Sequence, residues 1–175
     1  MKHVRELIGA AVVAGSVVAP LPLRAELNVP IAVRVVSFLQ PPLSGVMPAA
    51  IVVAPGNAAS MADAAAIERS LGGGAAAGKA TLRTKRVPVT ALDSLSGYRV
   101  AFVTAGTRDD QGAIAAAAAR GSVVTITSDD ACVQAARCVV GIGSGARVQI
   151  TVNRAAARAA NARFGSAFLM LVKEI

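Results

Sequence analysis

Apolar positions along this chain follow two rhythms. From Val29 to Leu39 the apolar residues Val29, Ala32, Val33, Val36 and Leu39 recur every three or four positions, which predicts an amphipathic helix stopped by Pro41-Pro42. Ala50 to Ala54 is a short unbroken apolar run before Pro55-Gly56-Asn57, the pattern of a buried strand. Ser60 to Leu71 predicts a helix capped by Ser60 and closed by Gly72-Gly73-Gly74. Lys79 to Val89 alternates and is rich in β-formers, while Tyr98 to Thr104 and Ser122 to Ser128 read as further buried strands. Asp109 to Ala119 and Asp129 to Ala136 predict helices that open on aspartate pairs, where negative charge suits the helix dipole.

Cys138 to Ile142 and Ala146 to Val152 predict a hairpin around Gly143-Ser144-Gly145. The second strand runs into Asn153, a good N-cap for the short Ala/Arg helix that follows. After a break near Asn161, the residues Phe164, Phe168, Leu169 and Leu171 predict an apolar helical segment packed onto the sheet. Strands alternating with helices predict a single α/β domain. Its sheet is mainly parallel with helices on both faces, and an antiparallel C-terminal hairpin lies at the edge.

The front of the chain changes the picture of where it works. Lys2, His3 and Arg5 precede an apolar run from Leu7 to Leu23, and Ala25 offers a small residue for cleavage before Glu26. This is the layout of a signal peptide over residues 1–25, and it leaves residues 26–175 as the exported domain. An uncleaved anchor is the competing reading, but a span needs roughly 20 apolar residues, and Pro20 and Pro22 interrupt the run where it should finish. The exported chain is expected in the periplasm and not membrane-spanning after cleavage. Lys2, Arg5, Arg24 and Glu6 leave with the signal, so the net charge falls from +8 to +6. That favours acidic partners or anionic surfaces, while the Ala/Arg-rich composition of a GC-rich genome accounts for the same charge. With no Trp, one Tyr and four Phe, the chain offers little for stacking on bases, and nucleic acid is not an expected partner.

Candidate chemistry is sparse. Gly73-Gly74-Ala75-Ala76-Ala77-Gly78-Lys79-Ala80 approaches a P-loop, but Ala80 stands where a magnesium-ligating Ser or Thr is needed. Its flanks are also reversed, with a helix before and a strand after. The one histidine, His3, leaves with the signal, removing the commonest general base and transition-metal ligand. The pairs Asp109-Asp110 and Asp129-Asp130 are explained by helix capping, and a calcium site needs a denser set of oxygens. The residues point away from an enzyme and imply neither metal nor cofactor.

Cys132 and Cys138 are the only cysteines, an even count in a chain expected in an oxidising compartment. A disulfide and a pair of buried thiols are both open, and a bridge closing so short a loop would stabilise by roughly 2 kcal/mol. Arg83, Lys85, Arg86 and Arg99 form a basic cluster. Arg83 and Lys85 fall on one face of a strand, where they could bind a carboxylate or an acidic partner surface. A charged, solvated strand edge that resists aggregation accounts for the same residues.

The closing segment carries a family likeness. Asn153, Ala156, Ala157, Ala160, Ser166, Leu169 and Leu171 fall on the phrase I-N-x-x-A-A-x-x-A-G-L-x-x-S-S-x-L-L-x-L that ends chains of the YfiR-like family of bacterial periplasmic proteins, with Asn161 in place of its glycine. Gly78 to Arg86 resembles the family's G-R-x-L-x-V-R-R phrase. Tyr98 to Val103 resembles its C-H-V-L-F-I strand, and Val124 to Asp129 its L-T-V-S-D strand end. The N-terminal helix departs from the pattern, with Phe38 and Gln40-Pro41 where relatives carry several aromatics and Trp-Pro.

The resemblance implies a regulatory binding protein that docks on the periplasmic sensor domain of an inner-membrane signalling protein and represses it. That partner is typically a diguanylate cyclase, with a sensor kinase as another candidate. It also adds weight to the Cys132–Cys138 bridge. Tyr98 stands where some relatives place a further cysteine, so redox sensing through two bridges is not implied. A periplasmic small-molecule receptor without catalytic activity, using the strand C-terminal ends, is the alternative function. The sequence leaves the oligomeric state open, a homodimer included.

Overall fold

The computed structural model describes residues 26–144 and 147–175. The expected signal peptide, and Gly145 and Ala146 of the expected hairpin, lie outside the described residues.

The first helix, α1 (Val29–Val36), starts where Asn28 accepts a hydrogen bond from the Ile31 N–H and Pro30 sits in the first turn, a position where its missing N–H costs nothing. A two-residue strand β1 (Leu39–Gln40) follows, then the long strand β2 (Ser44–Val53), whose N-terminal half is largely exposed and whose C-terminal half is wholly buried. The helix α2 (Ala58–Leu71) is capped by Asn57, which accepts from the Ala59 and Ser60 N–H groups. This corrects the expected Ser60 cap: the Ser60 hydroxyl is fully buried and serves the loop after β2 instead.

Gly72 to Gly74 turns the chain into β3 (Ala75–Ala77), and Gly78, at φ 63°, reverses it into β4 (Lys79–Pro88). A stretch of 3-10 helix, Val89–Gly97, crosses to β5 (Val100–Val103). The helix α3 (Gln111–Gly121), entered through a 3-10 turn at Arg108–Asp110, leads to β6 (Val124–Thr127), and α4 (Asp130–Gln134) to β7 (Val140–Ser144). The antiparallel β8 (Val148–Val152) runs into α5 (Arg154–Ala159), and Asn153 caps it as expected, accepting from the Ala156 N–H at 2.9 Å. The chain ends through β9 (Arg163–Phe164), α6 (Ser166–Leu169) and β10 (Lys173–Glu174).

These strands form one eight-stranded sheet in the order β10-β8-β7-β6-β5-β2-β4-β3, while β1 and β9 pair separately. The ladders joining β4, β2, β5, β6 and β7 are parallel, and β7–β8 is the antiparallel C-terminal pair. The hairpin is not the edge itself, because β10 returns parallel to β8 and covers its Thr151–Val152 end. On one face Ile51, Phe102 and Ile126 pack with α1, α2, α5 and Phe168; on the other Ala50, Val52, Ala101 and Val103 pack with the 3-10 stretch, α3 and α4. Each fully buried large side chain in these layers contributes about 1.5–3 kcal/mol of transfer free energy.

The end of the chain departs from expectation at one residue. Phe168 is buried, stacking on Phe38 with ring centroids 5.0 Å apart and lying 5.2 Å from Phe164, and Leu169 packs against the same cluster. Leu171 does not pack: it is 80% exposed. The reason is that α6 stops at Leu169, so helical periodicity does not reach Leu171, and the turn into β10 carries Met170 and Leu171 outward.

Candidate functional site

Three surfaces have the character of binding sites. The first lies where the order of strands reverses. The chain goes from β2 to β4 on one side through α2, then to β5 on the other side through the 3-10 stretch. Those connections leave from opposite faces, which opens a crevice between the loops after β2 and β5 at their carboxyl ends.

Polar side chains tie these loops together. Thr104 Oγ1 donates to the Val52 carbonyl at 2.7 Å and lies 2.6 Å from Ser60 Oγ, which in turn accepts from the Ala54 N–H. Asn57 Nδ2 donates to the Gly106 carbonyl, and Gly106 could carry no side chain there, since its Cβ would sit 2.6 Å from Asn57 Oδ1. The Ala105 N–H donates to the Asp63 carboxylate. Burial pushes the Asp63 carboxyl above its ordinary range; the Ala105 hydrogen bond opposes that shift and Glu26 adds to it.

The resulting cleft, of about 530 Å³, is lined by Asn57, Ala105, Gly106, Arg108, Asp109, Ser128 and Asp129. Much of its polarity is already engaged. Asp129 accepts from Gln111 Nε2 and from the Ala131 N–H, which leaves the exposed Arg108 guanidinium, 3.9 Å from Asp129, and Asp109 to meet a ligand. Sequence reading pointed to the aspartates only as helix caps; the missed signal was Asn57, a strong capping residue directly after a buried strand.

The second surface involves the basic cluster, which the structure divides. Alternation along β2 and β4 sets Val46 and Pro48 on the same sheet face as Lys79, Thr81, Arg83 and Lys85. The register places Val46 beside Thr81, Pro48 beside Arg83 and Ala50 beside Lys85. Arg99 stands one residue ahead of β5, level with Pro48 on the next strand. Arg86 points to the opposite face, where Nε and Nη2 donate to the two Glu68 oxygens at 2.7 and 2.6 Å. That fork holds the Glu68 carboxyl below its ordinary range. Arg86 is therefore a structural clamp between β4 and α2, whereas Arg83 and Lys85 are exposed.

The third surface is the C-terminal turn. Met170 is 82% and Leu171 80% exposed, and the parallel β8–β10 register directs that turn toward Val148, itself 43% exposed.

Cys132 and Cys138 are joined by a disulfide that closes the turn between α4 and β7. The bridge is fully buried and sits behind the cleft wall, the Cys132 N–H donating to the carbonyl of Asp129, one of the cleft's lining residues. Among the described residues, no group of three or more His, Cys, Asp or Glu is placed to hold a metal, and no helix is long and apolar enough to cross a membrane.

Comparison with solved structures returns likenesses of fold. A conserved domain protein from Vibrio cholerae O1 biovar El Tor superposes with a TM-score of 0.62 at 12% identity, covering 84% of this chain and 60% of that one. CD0873 from Clostridium difficile, described as a substrate binding protein with adhesive properties, gives 0.57 at 11% identity, covering 74% of this chain and 54% of its own. An ABC domain from Streptococcus pneumonia in complex with L-Trp gives 0.55 at 10% identity, covering 81% and 58%. This chain thus spans between 54% and 60% of the length of those proteins, and the likeness is one of fold alone. Among curated protein sequences, none matches it. Residues 41–173, from just after α1 to β10, match the YfiR/HmsC-like family; the chain belongs to that family, and its membership supports a periplasmic regulatory protein.

Proposed function

We propose that this protein is a periplasmic regulator that docks on the periplasmic sensor domain of an inner-membrane signalling protein, a diguanylate cyclase above all, and represses it. The observation that carries this reading is the Met170–Leu171 turn. Two large apolar side chains, each about four-fifths exposed, project side by side within the region matched to the family. Single exposed apolar residues are common, but two adjacent large ones form the kind of patch that protein interfaces bury. Repression follows if the docked surface binds the inactive state of the sensor more tightly than the active one, which lowers the active fraction. Export fits the same reading: residues 1–25 are a cleaved signal peptide, and N-terminal sequencing of periplasmic protein should begin near Glu26.

The test is a signalling assay in a strain lacking the gene. Cyclic di-GMP should rise on deletion, fall on return of the parent gene, and stay high with Leu171→Asp. A Leu171→Asp protein that represses as well as the parent would overturn this docking surface.

The alternative, a small-molecule receptor without catalytic activity, is favoured by the cleft at the strand reversal, since open α/β sheets bind ligands there. Loss of repression through Arg108→Ala rather than through Leu171→Asp would select it.

A further inference from the structure

Among the described residues, the half of the β2–β4 ladder nearest the strand N-termini is covered on one face only. On that covered face Met47, Ala75, Ala77 and Leu82 pack in the cluster with α1. On the other face neither the 3-10 stretch nor α3 reaches beyond Ala50, Val52 and Val87, and Val46 stands 65% exposed with Pro48 exposed beside it. Parallel ladders occur almost only with both faces covered, because the crossover connections between parallel strands lay helices over both faces and the strands carry apolar side chains on each. This bare face therefore needs an occupant.

Its charge says what kind. Lys79, Arg83 and Lys85 lie on it, and β2, β3 and β4 contain no carboxylate. A second copy of the chain would set these cations against each other across a two-fold axis, with nothing on the face to neutralise them. The size argues the same way. A face of about 20 Å along the strands by about 14 Å across three of them offers roughly 300 Å², well short of the roughly 800 Å² per partner that stable complexes bury. A single extended segment fits such a strip.

We propose that this face is a second docking site, separate from the Met170–Leu171 turn, which receives an extended acidic segment of a protein partner. Arg83 and Lys85 lie two residues apart, about 7 Å along the strand. Carboxylates on alternate residues of an extended peptide have the same spacing. Each cation meets one carboxylate, the intervening small side chains point away from the sheet, and the peptide backbone itself lies over Val46 and Pro48. The contact is largely electrostatic and therefore salt-sensitive.

The probe is a fluorescently labelled peptide of alternating Glu and Val, titrated with the full exported chain and followed by anisotropy. Binding should weaken about tenfold between 50 and 300 mM NaCl and at least tenfold in Arg83→Glu/Lys85→Glu. Because both side chains are exposed, that variant should melt with the parent. Val46→Asp, which alters the centre of the face without removing a cation, should weaken binding as well. Leu171→Asp should bind the peptide like the parent, which separates this site from the proposed regulatory surface: loss of signalling with retained peptide binding leaves this inference standing. Failure of the parent to bind the Glu-Val peptide, equal binding of the same peptide with Lys in place of Glu, or binding that survives Arg83→Glu/Lys85→Glu would overturn it. So would capture by vesicles containing anionic phospholipid with none by the peptide.

Discussion

Truncating two apolar residues three positions apart in the last segment should have opposite consequences. Phe168 is 2% exposed and touches two other rings, Phe38 from the end of α1 and Phe164 from β9. Phe168→Ala removes a buried ring, which costs about 3–5 kcal/mol in protein cores. That range already includes most of the stacking, which contributes about 0.5–1.5 kcal/mol per pair. A loss of about 4 kcal/mol is expected. Leu171 retains only a fifth of its surface in contact with protein. One fifth of the roughly 1.5–3 kcal/mol for burying a leucine gives about 0.3–0.6 kcal/mol for Leu171→Ala. For a domain of this size about 1 kcal/mol moves the midpoint by roughly 2–4 °C. Phe168→Ala should then melt about 8–16 °C below the parent, and Leu171→Ala within about 2 °C of it. Far-UV circular dichroism is the suitable probe, since the chain has no Trp and one Tyr. A Leu171→Ala midpoint depressed by as much as that of Phe168→Ala would refute the division of this segment into a buried ring and an exposed turn.

Further outcomes follow from the same geometry. The Cys132→Ser/Cys138→Ser variant should lose about 2 kcal/mol in urea denaturation, the entropy of a short closed loop, because the bridge spans a sequence separation of 6. Asn153→Ala removes both the α5 cap and a buried bond donated to the Val133 carbonyl, so a loss of about 2–3 kcal/mol is expected, and Asn153→Asp should be no milder, because it keeps the cap but turns a buried carboxylate oxygen toward that carbonyl. For Asp63, whose folded carboxyl titrates above its unfolded range, the protonated form is the better tolerated. Its contribution is fully present below the ordinary carboxylate range and is lost as pH rises through the raised value. The stability of the parent relative to Asp63→Asn should accordingly increase as pH is lowered from 7 toward 4, and a flat difference would remove that role.

Much of the fold was legible because apolar runs are an adequate signal for buried parallel strands. Ala50–Val53, Val100–Val103 and Val124–Thr127 lie side by side in register, and each falls inside a run readable from the sequence. Asn153 was legible too, since strand, asparagine and alanine-rich helix occur in immediate succession. The exposed first half of β2 was not, because Ser44 to Pro48 has neither alternation nor a continuous apolar run, and its pairing with β4 is a tertiary fact. Ser60 deceived for a related reason. A serine ahead of a helical stretch is an ordinary cap, and only the packing of Thr104 against it reveals a buried hydroxyl at the strand reversal. The basic cluster was visible as composition but not as geometry. Glu68, distant from Arg86 in sequence, takes that residue out of the cluster, and only the sheet register shows which cations share a face with Pro48.

The account turns on the Met170–Leu171 turn as the contact with a membrane signalling protein. The most direct measurement is site-specific photocrosslinking in cells, with a benzophenone amino acid at Leu171 and, as control, at the exposed Arg120 on α3. The account predicts a Leu171 crosslink whose product, identified by mass spectrometry, contains an inner-membrane protein with a periplasmic sensor domain, and none from Arg120. Equal crosslinking from both positions, or a Leu171 probe that yields no membrane protein while the chain still represses signalling, would contradict it.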